Sequence, residues 1–350
     1  MFVFLRILAI ILGTLLVFFT LFSAIRTLVL PRAIQDRITY STFTAVRWIF
    51  KLPLSRARDY HARDQIMAYY APTALLSLLP VWLILVTLGY TGIFWGLGVP
   101  GWYESFLLSG SSLLTLGFAR AEDLIQLSLV YSEATIGLLL IALLIAYLPT
   151  MYSAFQRREA AVARLEVRAG DPPTAVEMLL RFNRIHGLSQ LHETWQSWEN
   201  WFIDLQESHT SLSMLVFFRS PKGKHSWITA SGTVLDAAAL TLSSLDTPHD
   251  FQADLCLRAG YLALRNIADF FNVPFNPNPH AGDPISITRA EFDQAYDRLV
   301  AQDLPVKFNR DQAWRDFAGW RVNYDQVLLA LAELTMAPEA PWSSDRSAGE

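Results

Sequence analysis

The sequence contains little cysteine and little charge. Its single cysteine, Cys256, excludes an intrachain disulfide, so nothing indicates an oxidising compartment. The formal net charge of −4 is too small to indicate a nucleic-acid-binding protein. We find no internal repeat, no low-complexity tract and no glycine-rich phosphate-binding loop. The hydrophobic pattern therefore carries most of the information about function.

Charged residues are missing from three long windows. Residues 7–25 and 65–103 contain no Asp, Glu, Lys or Arg, and residues 124–156 contain only Glu133. About 20 consecutive apolar residues suffice to cross the hydrocarbon core of a bilayer, so the sequence predicts three transmembrane helices. No small-residue cleavage site follows the first window, which is also longer than the apolar part of a signal peptide. We therefore expect an uncleaved anchor over residues 1–30, with cleavage as the alternative.

The positions of the basic residues predict an orientation. Residues 31–71 contain seven Lys and Arg residues and residues 157–168 contain four, whereas residues 97–126 contain only Arg120. Basic residues near spans stay on the cytoplasmic side. This pattern places residues 31–71 and the C-terminal half in the cytoplasm and the N-terminus outside, in a plasma or inner cell membrane. Within the first basic stretch, Thr42–Leu54 is too short to span, and its aromatic and basic residues favour a helix lying along the inner membrane face.

The connection between the second and third windows is itself apolar. Residues 105–115 are too few to cross a bilayer and too apolar for an ordinary exposed loop. A short helix that enters the membrane and turns back would satisfy both conditions. Its non-helical end must then be sheltered by protein, because lipid cannot hydrogen-bond to backbone groups.

The end of this short helix and the segment that returns from it (residues 115–119, the return segment) resemble a known family. Residues 112–118 read Ser-Leu-Leu-Thr-Leu-Gly-Phe, which is similar to the pore helix and selectivity filter of potassium-channel-like pore domains of the bacterial two-transmembrane type, whose filter reads T-V-G-Y-G. The resemblance covers about residues 72–160. It implies that four copies surround an axis and that their carbonyl oxygens replace the hydration shell of a monovalent cation. The implied filter is Thr115, Leu116, Gly117, Phe118 and Ala119.

The residue types suit these implied roles. Thr115 can offer a hydroxyl as well as a carbonyl, Gly117 permits unusual backbone angles, and Phe118 could brace the segment from behind. The implied pore helix carries Ser111 and Ser112.

The third window is similar to the inner, pore-lining helix of the same family. It has Glu133 near its start and Gly137 one turn later, and Gly137 and Pro149 are predicted bending points for a gate. Glu133 is interpreted either as a group hydrogen-bonded behind the filter or as an ion-sensing carboxylate.

Two departures from the family pattern affect selectivity more than fold. Ala119 stands where the last filter glycine would be, and a left-handed backbone there would cost about 1–2 kcal/mol per subunit. Arg120 stands where an acidic residue commonly follows, so four copies would repel cations at the outer mouth, partly offset by Glu122 and Asp123. A chance occurrence of the motif is the alternative interpretation.

The C-terminal half shows helical, amphipathic periodicity. Thr174–Glu177 and Thr288–Glu291 have the spacing of capping boxes. The polar, Pro- and Ser-rich residues 337–350 are predicted to be disordered. The predicted helices cover residues 154–168, 174–186, 188–208, 226–244, 251–271, 288–302 and 310–336.

Two residue patterns in this half invite a functional interpretation. An aromatic stripe recurs every three to four residues, and we interpret it as helix-packing core and not as a ligand cage. A second group of His and Glu residues lacks metal-ligand spacing, so we interpret it as solvated surface and expect no metal and no cofactor. The stripe is Trp195, Trp198, Trp201 and Phe202; the second group is His186, His192, Glu193, Glu207 and His209.

Together these patterns predict an all-α membrane protein. It has three transmembrane helices, a re-entrant pore helix between the second and third, and then an all-helical cytoplasmic domain. The predicted parts are an anchor (1–30), a cytoplasmic or interfacial segment (31–71), a pore domain (72–153), a cytoplasmic helical domain (154–336) and a disordered tail (337–350).

The predicted function is an ion-channel-like subunit that conducts monovalent cations, potassium first, through a homotetrameric pore surrounded by membrane lipid. The alternative is a non-conducting receptor or scaffold with a pore-like fold. An enzyme is not expected, because no acid–base pair or metal-ligand set is evident. The ligand or protein partner of the cytoplasmic domain is not identified by the sequence, and nucleic acid is not expected.

Overall fold

The structure is a computed structural model that describes residues 2–30, 36–56, 59–185 and 187–347. Its regular elements there are helices, and the only extended pairing among these residues is a single bridge between Leu245 and Val306. The contacts divide the chain into two compact units, Met1–Ser153 and Ala154–Glu350. His186, residues 31–35 and 57–58 of the predicted cytoplasmic segment, and residues 348–350 of the predicted tail lie outside the described residues.

Six α-helices begin among the described residues of the first unit, and the last of them continues past its boundary. They are α1 (Phe2–Leu28), α2 (Arg37–Arg56), α3 (Tyr60–Ala68), α4 (Tyr70–Gly96), α5 (Gly101–Leu113) and α6 (Leu124–Ala169).

Three helical stretches in the described chain are long and apolar enough to cross a membrane, as predicted: Phe2–Leu28, Tyr60–Gly96 and Leu124–Ala169. Many of their large apolar side chains point outward; Phe18, for example, is 60% exposed and Ile145 is 64% exposed. Contiguous apolar surface of this extent is rare on monomeric soluble proteins and marks contact with lipid or with other subunits.

Helices α1 and α4 cross at backbone contact. A Cβ atom on Gly13 would collide with the carbonyl oxygen of Gly89, and one on Gly96 would lie 2.7 Å from the carbonyl oxygen of Arg6. Small residues at a helix crossing let two backbones approach closely, which is the main source of van der Waals attraction between apolar helices in lipid. The glycines of α4 therefore fix where α1 packs.

Helix α2 presents an apolar outer face. Trp48, Ile49 and Leu52 are all at least 60% exposed, while Val46 is buried. Asp36 directly precedes the helix, and its carboxylate accepts hydrogen bonds from two backbone N–H groups of the first turn. The helix predicted for residues 42–54 is thus present and extends further at its N-terminal end.

Seven α-helices lie wholly within the described residues of the second unit, and α9 forms its centre. Every residue of α9 except Leu242 is buried, which its Ala, Ser, Thr and Gly residues allow by leaving room for neighbouring helices. The seven helices are α7 (Ala175–Arg184), α8 (Leu191–Ser211), α9 (Trp227–Ser244), α10 (Phe251–Phe270), α11 (Arg289–Val300), α12 (Arg310–Arg321) and α13 (Asp325–Thr335).

A fully buried ion network joins α9, α12 and α13. The guanidinium of Arg321 donates to the carboxylate of Asp236 at 2.7 and 2.9 Å and to that of Asp325 at 2.6 Å. The hydroxyl of Tyr324 also donates to Asp236, at 2.8 Å. A buried charge is tolerated only when it is paired and hydrogen-bonded in this way.

The prediction of a single helix over residues 310–336 is wrong, because the helix is interrupted between α12 and α13. The break lies at residues 322–324. It allows Tyr324 to reach Asp236 while Arg321 and Asp325 remain one helical turn apart in sequence. Tertiary pairing therefore overrides a continuous helical pattern.

The predicted disorder of residues 337–350 is also corrected for the part that the structure describes. Ser343 is fully buried, and the ring centroid of Trp342 lies 5.6 Å from that of Phe317. The backbone carbonyl of Trp342 accepts a hydrogen bond from Arg321. A few specific contacts hold this segment despite its polar composition.

The two predicted capping boxes have different outcomes. At Thr288 both halves of the box form with Glu291. At Thr174 the hydroxyl caps the amide of Glu177, but the Glu177 carboxylate pairs with Arg181 at 2.8 Å. The aromatic stripe of α8 packs in the core, as predicted.

Substitution of Gly89 tests the contact between α1 and α4. We expect Gly89→Leu to lower the unfolding free energy by about 1–3 kcal/mol, because the added side chain must displace α1. Full-length protein in detergent micelles is unfolded by denaturant titration and compared with Leu88→Ala, which changes an exposed neighbour on the same helix. Equal stabilities of the two variants would contradict backbone contact at this crossing.

The pairing of Glu291 with Arg346 predicts an acid-dependent stability. Hydrogen bonds from Arg346, and further ones from Thr288, lower the pKa of Glu291 to about 2. A lowered folded-state pKa stabilises the protein above the unfolded pKa near 4.5, and this contribution is lost as the pH falls towards 2. We expect Glu291→Gln to weaken stability at neutral pH and to flatten its fall between these values.

Tryptophan fluorescence of the full-length protein during acid titration measures this effect. The exposed Glu333 on α13 provides the control, since Glu333→Gln should keep the wild-type pH profile. A Glu291→Gln profile that is as steep as the wild type would show that the ion pair does not contribute.

Candidate functional site

The candidate site is built on α5 and the five residues that follow its last turn. Four serines of α5 are buried, and their small side chains allow α5 to pack against its neighbours. The hydroxyl oxygen of Ser109 lies 3.1 Å from the backbone carbonyl oxygen of Thr87 on α4, and the hydroxyl of Ser112 donates to the carbonyl of Val130 on α6 at 2.7 Å. Helix α5 is therefore fixed to both long helices by its own hydroxyls.

The end of α5 forms a tight C-terminal cap. The amide of Leu116 donates to the carbonyl of Ser111 at 2.8 Å, and the amide of Thr115 donates to that of Ser112 at 2.9 Å. These two bonds are the six-to-one and five-to-two pairs of a Schellman motif, which requires a left-handed residue just after the helix. Thr115 supplies it with a φ of 56°.

The residues after this cap continue to bond to Ser111. The amide of Gly117 lies 3.4 Å from the Ser111 carbonyl oxygen, and the amide of Ala119 donates to the Ser111 hydroxyl at 3.1 Å. Because Ala119 returns to the level of a residue eight positions earlier, the chain folds back beside the end of α5.

This arrangement orients the carbonyl groups. In a trans peptide the C=O of one residue points opposite to the N–H of the next. The amides of Leu116, Gly117 and Ala119 point towards Ser111, so the carbonyls of Thr115, Leu116 and Phe118 point away from α5. Since residues 114–118 are exposed, these oxygens lie on an open face of the unit.

The backbone strain lies at a different position from the predicted one. Thr115 and Gly117 have positive φ values of 56° and 74°, whereas Ala119 does not. The predicted penalty for a left-handed Ala119 therefore does not arise in this chain. A β-branched residue at positive φ is unusual, so the strain belongs to Thr115.

The side chains of the return segment are largely uncovered. Leu116 is 60% exposed and Phe118 is 62% exposed. The resemblance implied that Phe118 braces the segment from behind. Within a single chain, Phe118 does not do so. Any support for these side chains must come from outside the chain.

Glu133 lies buried behind α5. The hydroxyl of Ser109 donates to its Oε1, while Oε2 is buried without a hydrogen-bond partner among the described residues. Of the two interpretations from the sequence, this geometry favours the hydrogen-bonded group over an ion-sensing carboxylate, because no face of Glu133 is exposed.

The two predicted bending points lie in an uninterrupted helix. Helix α6 continues through Gly137 and Pro149 without a break. A Cβ atom on Gly137 would collide with the carbonyl oxygen of Leu113 at the end of α5. The structure thus gives Gly137 a packing role, and bending at either residue stays a prediction.

The predicted outer-mouth residues have separate local roles. Arg120 is exposed. Asp123 accepts a hydrogen bond from the amide of Gln126 at 2.8 Å and so caps α6, and the side chain of Gln126 accepts from the amide of Glu122 at 3.1 Å. Ser109 and Gln126 were missed by sequence reasoning. The position of Gln126 one turn after Asp123 could have indicated it, whereas Ser109 lies 24 residues before Glu133 and carries no local signal.

Among the described members of the group considered for a metal, which leaves out His186, the side chains do not assemble. His192 pairs with Asp250 at 2.8 Å, and Glu193 and Glu207 are exposed elsewhere on α8. His209 corrects the prediction of solvated surface, because it is fully buried beside Arg158. Burial and the neighbouring arginine lower the pKa of His209 well below its usual range.

The second unit also contains a broad groove of about 1210 Å³. Its walls come from the end of α6, from α7 and from α8. Five arginines line it against Glu193 and Asp204, so its field favours anionic ligands. The arginines are Arg157, Arg164, Arg168, Arg181 and Arg184.

Neither family models nor curated proteins nor solved structures give a match to this chain.

A double-mutant cycle tests the contact between α5 and α6. We expect Ser109→Ala and Glu133→Ala to be coupled by about 1 kcal/mol or more, because their hydrogen bond is buried. Unfolding free energies of the full-length protein in micelles give the coupling. Ser128→Ala, which removes an exposed hydroxyl of α6, should show none with Glu133→Ala. Additive effects for Ser109 and Glu133 would contradict the contact.

Proposed function

We propose that the chain is an ion-channel-like membrane subunit that conducts monovalent cations, potassium foremost, through a pore formed by four copies. Helix α5 then enters the membrane as a pore helix, and residues 115–119 form the filter. The single observation that carries the proposal is the bonding of three backbone amides, those of Leu116, Gly117 and Ala119, to Ser111. The carbonyls that precede these amides therefore point away from α5, towards an open face. A ring of such oxygens can replace the water shell of a cation.

The strain at Thr115 favours a functional role over a simple helix cap. Glycine is the usual residue at this position of a Schellman motif, and a non-glycine residue there costs of order 1–3 kcal/mol. Such strain persists where a side chain is needed, and Thr115 adds a hydroxyl next to its own carbonyl. A filter position explains why threonine occupies it.

The uncovered side chains favour assembly. Leu116 and Phe118 are apolar and exposed beside the outward carbonyls. One chain supplies one return segment, and a closed ring needs several. Four copies would cover these side chains and bring the carbonyls together around an axis.

The basic residues place the second unit in the cytoplasm in this proposal. Residues 31–71 and 157–168 carry the charges expected on the cytoplasmic side. The N-terminus and the segment around Arg120 are then outside, and the exposed apolar face of α2 lies along the inner membrane surface.

Arg120 favours the second candidate, a non-conducting receptor or scaffold. An exposed arginine directly after the proposed filter would place four positive charges near the outer mouth. Purified tetramers that give no ion flux, together with a partner crosslinked to the second unit, would support this alternative.

Flux through liposomes tests the proposal. We expect the purified full-length protein to pass potassium and Gly117→Val to abolish this flux, because a β-branched residue cannot readily keep a φ of 74°. Gly110→Ala is the matched control, since a Cβ atom there meets nothing within 4 Å beyond the adjoining residues and backbone of its own helix. Absence of flux at either polarity from verified tetramers would overturn conduction.

Thr115→Gly separates a filter from a structural cap in the same assay. Relief of the left-handed strain should raise the unfolding free energy by about 1 kcal/mol in either case. A filter also loses the threonine hydroxyl, so we expect lower potassium-over-sodium selectivity. Greater stability with unchanged selectivity would leave Thr115 a cap only.

A further inference from the structure

Three side chains with metal-binding atoms meet in the second unit. Glu166 lies in the last turn of α6, Asp171 lies in the turn that follows, and His225 lies two residues before α9. One ligand atom from each side chain lies within 4.8 Å of the other two. The cluster joins residues that are more than 50 positions apart in sequence.

The histidine is buried and directed into the cluster. Its side chain is only 7% exposed, and its Nε2 atom makes no hydrogen bond among the described residues. This nitrogen lies 3.2 Å from a carboxylate oxygen of Glu166. A buried imidazole nitrogen without a hydrogen bond is uncommon, because leaving it unsatisfied costs about 1–3 kcal/mol.

The distances suit two ligands of one ion. With metal–ligand bonds of about 2.0–2.2 Å, neighbouring ligand atoms around a tetrahedral ion lie about 3.3–3.6 Å apart. The 3.2 Å separation of the His225 nitrogen and the Glu166 oxygen is close to this value. Asp171 is exposed at the surface, and its carboxylate oxygen lies within 4.8 Å of the other two ligand atoms, where it can supply a third bond.

A lysine already places positive charge at the same carboxylate. Lys222 Nζ lies 2.7 Å from Glu166 Oε2, and its side chain is 64% exposed. An ammonium group on a flexible, solvated stem can leave the carboxylate when a doubly charged ion competes for it. Lys222 therefore opposes binding of an ion but does not block it.

We propose that Glu166, Asp171 and His225 bind a divalent transition-metal ion of the zinc class. One imidazole nitrogen and two carboxylate oxygens suit zinc and similar ions, whereas magnesium and calcium prefer sites made of oxygen alone. The bound ion would tie the end of α6 to the segment that precedes α9. This site is independent of the proposed pore.

Zinc titration of the full-length protein tests the site. Protein without a histidine tag is stripped with a chelator and titrated with Zn²⁺ by calorimetry in detergent. We expect one site per chain, and we expect His225→Ala to lower its affinity by more than about tenfold, since even loss of a group behind a metal ligand costs 10–100-fold.

Two further variants keep the test valid if His225→Ala is unstable. Asp171→Asn changes an exposed carboxylate with little change of shape, and it should also weaken binding. Lys222→Met removes the competing charge and should strengthen it. His249→Ala is the control, because His249 is an exposed histidine outside the cluster that pairs with Asp254 at 2.7 Å. This variant should bind zinc as the wild type does.

Cobalt absorption gives a second readout. Co²⁺ should give visible bands typical of nitrogen and oxygen ligands in the wild type, and these bands should weaken in Asp171→Asn. The proposal is overturned if neither the wild type nor Lys222→Met binds zinc, or if Asp171→Asn and a folded His225→Ala bind as tightly as the wild type. No ion flux enters this experiment, so its failure is distinct from failure of the pore.

Discussion

Hydrogen bonding to Ser111 is the constraint on which the candidate site depends. The last carbonyls of any helix lack partners within the helix, and a non-helical segment beside apolar helices must satisfy its own amides. In this chain the amides of the non-helical segment bond to the end of the helix: the carbonyl of Ser111 accepts from Leu116 and Gly117, and its hydroxyl accepts from Ala119. The helix cap and the outward orientation of the carbonyls are therefore one structure.

The second unit depends on a different buried group. Arg321 is fully buried, and its charge is neutralised by Asp236 and Asp325. Removing a single partner from such a network leaves a buried charge unpaired, which costs about 3–5 kcal/mol, so the three helices that carry these residues hold a fixed register. Of these three helices, α12 and α13 both contact α9.

The elements that could be predicted from the sequence are those that depend on composition and period. Windows with at most one charged residue predicted the three long apolar helices, and the spacing of Trp195 to Phe202 predicted a core stripe, because both are properties of one helix at a time. A short helix in the connection was also expected, from a stretch too apolar for water and too short to span, and α5 is that helix; its entry into the membrane stays a prediction.

The features that were missed depend on contacts between distant residues. The break before α13 follows from the reach of Tyr324 to Asp236, and residues 337–347 are held by contacts that their polar composition does not suggest. The strain at Thr115 follows from capping geometry and not from the motif. The proximity of Glu166 and His225 results from folding of the whole unit.

The contacts of Arg321 also bear on how the protein is made. Trp342 and Ser343 follow α13 in the chain, yet one supplies an acceptor to Arg321 and the other packs against Gly232 of the central helix. A ribosome releases these residues after helices α7 to α13. The centre of the second unit therefore stays incomplete until they have emerged, and the unit reaches its final packing only after the last of these contacts becomes available.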